Sequence, residues 1–152
     1  MEYFAFTRDS GGEDAEPPSG VPLGDDFSIA VSITHGRNNL LFTGDAMAVR
    51  LRELLENEEI ISINYDLVKM PRHGRHNANT MEFILATRPR YAVITGFHPD
   101  YWARYYPERP TDERVMTVLD YINAEVFFTM SIGLHVKSDG NSLVLEYIDF
   151  FE

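Results

Sequence analysis

LLFTGDAM, residues 40–47, decides how this chain is read. An apolar run stops at Thr43-Gly44-Asp45, and a helix-like pattern begins at once. Ala48, Leu51, Leu54, Leu55 and Ile60 recur at nearly helical spacing, with Arg and Glu between them. Strand, tight turn and helix in that order form the unit of an α/β sheet. Two readings of Asp45 stand at this point. Its carboxylate caps the helix that follows, or it is held at a strand end to bind something.

Upstream, FSIAVSITHG and NNLLFTGD are two strand-like runs, joined through Gly36, Arg37, Asn38 and Asn39 as a hairpin. Residues 8–26 are rich in Gly, Pro and acid and read as a mobile loop. Tyr3–Thr7 is a short strand candidate before it. Downstream, YDLVKMP (65–71) is a core strand, and the loop RHGRHN follows. Asn79, three residues before Glu82, resembles the start of a capping box for a helix running to Thr87. Met81, Ile84 and Leu85 form its expected apolar stripe, and Pro89 stops it. YAVITG (91–96) is the next strand, followed by the aromatic loop FHPDYWARYYPERP. Thr111 is placed to cap a helix carrying Val115, Val118, Leu119 and Ile122 on one face. EVFFTM, IGLHVKS and NSLVLEYI are strands, with Asp139-Gly140 as a hairpin turn between the last two.

This order predicts an α/β fold: a mixed, largely parallel sheet with helices on one face, and antiparallel additions at each end. The 152 residues suit one domain, 1–152, since domains commonly run to roughly 100–200 residues. No apolar run approaches the ~20 residues of a membrane helix, and no secretory signal is evident at MEYFAFTRDS. Cysteine is absent, which removes disulfides, thiolate metal sites and cysteine nucleophiles and points to a cytoplasmic setting. A formal charge of −11 disfavours general binding to phosphate backbones.

Ligands of an open α/β sheet gather outside the C-terminal strand ends. Three successive ends carry polar punctuation: Thr43-Gly44-Asp45, then Pro71-Arg72-His73-Gly74 with His76 close behind, then Gly96-Phe97-His98. Neighbouring parallel strands lie ~4.8 Å apart, so Asp45 and His73 are placed to meet. Zinc accepts both donor types, which makes these two residues the metal candidates. His73 and His76 also read as surface histidines. His98 also reads as a loop residue among Tyr101, Trp102, Tyr105 and Tyr106. Arg72 and Arg75 form a local basic cluster suited to an anionic group, or a solvated loop. His35 and His135 read as structural or exposed.

SIAVSITHGRNNLLFTGDA, YDLVKMPRHGRHN and RPRYAVITG, in that order, resemble the C-terminal half of a metallo-β-lactamase-fold hydrolase of the competence-protein-like branch. The resemblance spans most of residues 27–130, within a half-fold of 27–149. It implies one αβ layer of an αββα sandwich and a two-metal, zinc-type hydrolytic site acting on a phosphoester, ester or amide. Asp45 then matches the metal-bridging aspartate and His73 the late histidine ligand of the second metal. Arg72, Arg75, His76 and His98 fall where substrate or proton-transfer groups would stand.

Arg72 replaces the first histidine of the branch's His-His-Gly-Ser loop, and Arg75 replaces its serine. The superfamily's leading His-x-His-x-Asp-His motif has no counterpart before Asp45, where His35 is the sole histidine. The resemblance therefore implies an incomplete centre, weakly active or inactive alone. It also implies a bare apolar sheet face awaiting a second copy of the chain or a complementary N-terminal half-domain. The other reading is a non-catalytic interaction or dimerisation module that keeps the fold.

Overall fold

A computed structural model describes residues 2–6, 28–75, 78–96, 104, 113–129 and 132–148. The 8–26 loop and Thr111 lie outside them. The elements are β1 (Glu2–Phe6), β2 (Ala30–His35), β3 (Asn38–Phe42), α1 (Ala48–Leu55), α2 (Glu58–Ile61), β4 (Leu67–Lys69), α3 (Met81–Thr87), β5 (Tyr91–Ile94), α4 (Glu113–Tyr121), β6 (Glu125–Phe128), β7 (Gly133–Ser138) and β8 (Leu143–Ile148).

The fold is α/β. Strands β1 to β6 form one mixed sheet in sequence order, while β7 and β8 form a separate two-stranded sheet. The pairs β1–β2 and β2–β3 are antiparallel, and β3–β4, β4–β5 and β5–β6 are parallel. Each parallel step is a strand–helix–strand crossover, as the alternating pattern requires.

Period-2 alternation divides the sheet between two cores. On one face Ala30, Leu41, Val68, Met70, Ala92 and Ile94 pack with helix residues such as Leu51, Leu54, Phe83, Val115 and Leu119. All the described helices that join this core lie on that side. On the other face Leu40, Leu67, Tyr91, Val93 and Phe127 are buried, with Leu134, Val136, Leu143 and Leu145 of the β7–β8 hairpin packed against them. The molecule is thus helices, large sheet and small sheet.

Two expectations are corrected here. The hairpin does not extend the main sheet, and the sheet's second face is not bare, because that hairpin covers it. The Phe127 ring packs on Tyr91 and Tyr147, at centroid distances of 6.0 and 5.6 Å. Phe42 keeps 37% of its surface exposed at the rim.

Helix details also differ. The 48–60 pattern breaks into α1 and α2, because Asn57 takes an extended conformation and its side chain accepts the Glu59 amide as a new cap. In α3, Thr80 rather than Asn79 is the cap, its hydroxyl accepting the Phe83 amide at 3.2 Å. The buried stripe is Phe83, Ile84 and Thr87, while Met81 is 62% exposed. The 65–71 strand contracts to three residues. In α4, Val115, Val118 and Leu119 are buried as expected.

The β7–β8 turn closes on Asp139, whose carboxylate accepts the amides of Ser142 (2.6 Å) and Asn141 (2.8 Å) and the Ser142 hydroxyl. These donors pull its carboxyl down to about 2. A folded value below the ordinary one means the stabilisation is complete above pH ~4 and is lost as pH falls toward about 2. Acid titration followed by NMR should therefore show the turn loosening in that window. Asp139→Asn should remove the dependence.

Candidate functional site

The site is built where the ends of β3, β4 and β5 meet. Asp45 does not cap α1: Met47 occupies the N-cap and makes no side-chain cap bond. Asp45 sits in the turn before it, and its own amide is held by the Ser28 hydroxyl at 3.2 Å. Its carboxylate is turned to the neighbouring strand end instead. Asp45 Oδ2 lies 3.8 Å from His73 Nε2, and Oδ1 lies 3.6 Å from Lys69 Nζ.

One carbonyl stitches the two loops together. Gly44 O accepts from Lys69 Nζ at 2.6 Å and from the Arg72 amide at 3.3 Å. Gly44 itself is left-handed, φ +56°, a conformation that glycine adopts without strain. The Thr43 hydroxyl donates to Lys69 O at 2.7 Å. Burial pushes the Lys69 ammonium below its ordinary range, and the Asp45 charge partly restores it. Sequence reading missed Lys69. Its signal is a charge inside the apolar run LVKM, on the strand next to the one that ends at Asp45.

His73 stands on strained backbone. Arg72 (φ 42°) and His73 (φ 57°) are both left-handed and neither is glycine; Gly74 follows at φ 77°. Such residues cost of order 1–3 kcal/mol each and persist where the surroundings over-determine them. Asn79 supplies much of that constraint. Its buried amide nitrogen donates to Pro71 O at 2.8 Å and to Arg75 O at 2.7 Å, clamping both ends of the loop. That duty explains why the capping role passes to Thr80. Asn79→Ala should cost about 1–2 kcal/mol, because the Pro71 carbonyl loses a buried hydrogen bond, while Arg75 O keeps the Ala78 and Asn79 amides. Chemical denaturation would measure it, with the His73 ring resonances shifting in the native state.

The loop also settles the His73 tautomer. Nδ1 lies 2.7 Å from Thr95 O, which only accepts, and 2.9 Å from Thr95 Oγ1. Nδ1 therefore carries the proton, and in the neutral ring Nε2 presents its lone pair toward Asp45. A histidine whose other nitrogen is held by a carbonyl is the usual arrangement of a metal ligand. Gly96 lies alongside, where an added Cβ would stand 3.6 Å from the His73 Cβ.

The donors are oriented for a cation but too few for a resident one. A zinc site takes at least three protein ligands. Among the described residues no three His, Asp or Glu side chains gather to hold a metal, and the Lys69 ammonium already neutralises one side of Asp45. The described residues thus do not by themselves fit a zinc centre. Of the other expected site residues, Arg72 is half-buried and its guanidinium reaches the Met47 sulfur, while Arg75 is exposed. His76 and His98 lie outside the described residues. His35 is structural and His135 is exposed on β7. No protein-family model matches the chain, and no curated protein is significantly similar to it.

Proposed function

We propose that this chain is a metallo-β-lactamase-like domain carrying one rim of a hydrolase centre, incomplete and weakly active or inactive alone. Asp45 and His73 are the metal-binding residues of that rim. A complementary N-terminal half-domain supplying further donors would complete it. The observation that carries this reading is the pairing of Asp45 with a His73 whose Nδ1 proton is fixed by Thr95, so that carboxylate and Nε2 face each other at 3.8 Å. An aspartate that served only the helix would cap it, and Asp45 does not. Arg72 and Arg75 flank His73 as candidates for an anionic substrate group. A bound divalent ion supplies such hydrolases with a low-pKa water.

The test is a zinc titration by calorimetry on the chain and on Asp45→Ala and His73→Ala. Weak binding that falls at least about tenfold in both variants is expected, the loss of one of few ligands. Equal zinc affinity in all three proteins would remove the reading.

A non-catalytic module is the second reading, favoured by the Lys69 ammonium beside Asp45 and by the missing third donor. A homo-oligomer belongs to it. Since the hairpin covers the sheet face, the self-association would use other surface. Sedimentation across a concentration series separates the readings: zinc-independent dimers favour the module. No described helix is long and apolar enough to cross a membrane. A cytoplasmic setting and the absence of nucleic-acid partners remain part of the proposal, resting on the lack of cysteine and the charge of −11.

A further inference from the structure

The tip of the β7–β8 hairpin is fastened to the β2–β3 turn by a small polar cluster. The Arg37 amide donates to Gly140 O at 2.7 Å, and the Arg37 guanidinium reaches the Asn141 side-chain oxygen. Beneath them, buried Asn38 donates from Nδ2 to Ser142 O and to Ser138 Oγ, both at 2.8 Å. A carbonyl only accepts, so Ser142 fixes which end of the Asn38 amide faces the cluster. The Gly140 amide donates to the same Ser138 oxygen at 3.3 Å. A hydroxyl has two acceptor positions and one proton. Asn38 and Gly140 fill the acceptor positions. The Ser138 proton is left for the remaining neighbour, His35 Nδ1, at 2.9 Å.

From this proton count we propose that His35 is an acid-sensitive latch, closing the hairpin onto the sheet while Nδ1 is bare and releasing its tip when Nδ1 is protonated. A second ring proton sets N–H against O–H. Ser138 then keeps either its bond to His35 or its two incoming bonds, and the clasp loses part of its fastening in both cases.

The surrounding charges do not replace it. Arg37 is engaged with Asn141, and Asp139 is folded onto its own turn amides. Lys137 and Glu146 pair with each other at 3.1 Å across β7 and β8. Glu2 of β1 stands in register with Thr34, one residue from His35. Among the described residues, Ser138 is the polar partner of the His35 ring. Release of the tip loosens one end of the layer that covers Leu40, Leu67, Tyr91, Val93 and Phe127. The inference is independent of the reading of Asp45 and His73.

Amide hydrogen exchange tests it at about pH 5 and about pH 7.5, either side of the ~6.5 at which free imidazole titrates. After correction for intrinsic exchange, protection of the Arg37 amide should fall about tenfold at the lower pH, with the β3 core amide of Leu41 unchanged. His35→Asn retains an acceptor that takes no proton, and should keep the same protection at both values. Ser138→Ala should give low protection at both. Equal wild-type protection at the two values, or an undiminished pH response in either variant, would overturn the proposal.

Discussion

Replacing Phe83 by alanine is expected to destabilise the protein by about 3–5 kcal/mol, the range for emptying a buried aromatic site. Phe83 is fully buried, on the face of α3 that packs with Leu51, Met70 and Leu119 in the larger core. The space it leaves lies between a helix and a sheet that are both held by other contacts, so neither collapses readily to fill it. Urea denaturation would measure the loss as a lowered midpoint with little change in slope. The same experiment on Met81→Ala should show a change within about 0.5 kcal/mol, as for most exposed positions. The contrast is diagnostic, because Met81 and Phe83 are neighbours on one short helix. A large loss at Met81 with a small one at Phe83 would mean that α3 is rotated from the orientation described.

Gly36→Ala should cost about 2–4 kcal/mol, unusually much for an exposed turn residue. Two penalties combine. Gly36 has φ +62° in a two-residue hairpin turn, a conformation that disfavours any side chain. A Cβ there would also stand 2.7 Å from the Gly140 carbonyl carbon and closer still to its oxygen, both of them backbone atoms. Relief requires the two turns to separate, breaking the bond from the Arg37 amide to Gly140 O. Gly140→Ala is the control. Its φ of +88° brings the first penalty, but the nearest atom to a Cβ there is His35 Nε2 at 3.5 Å, an ordinary contact. Only Gly36→Ala should both lower the denaturation midpoint substantially and expose the Arg37 amide to exchange.

Much of this architecture was legible in the residues. Apolar runs ending in Gly-Asp, Pro-Arg-His and Thr-Gly mark strand ends, and the helix patterns between them dictate parallel pairing. The convergence of Asp45 and His73 follows from that topology alone. What escaped was decided by tertiary structure. In a seven-residue helix, Met81, Phe83, Ile84 and Leu85 permit more than one apolar stripe, and only the sheet chooses among them. Asn79 and Thr80 are both good caps, and the choice fell to Thr80 because Asn79 was drawn to the Pro71 and Arg75 carbonyls. The left-handed Arg72 and His73 carry little sequence mark, since Arg does not favour that conformation and His, though enriched in it, adopts it in only a small minority of cases. The place of the hairpin did leave a trace. LHVKS alternates apolar and polar residues, which describes a strand covered on one side and wet on the other.

That hairpin reaches its partners across a long stretch of chain: His35 and Ser138 are 103 residues apart. Contacts of such separation carry a high loop-closure cost and form late. The strand–helix units of the main sheet are expected to assemble first, which leaves one side of it wet and adhesive for that interval. Refolding yield should therefore fall as protein concentration rises, through collisions between intermediates that still lack their last layer.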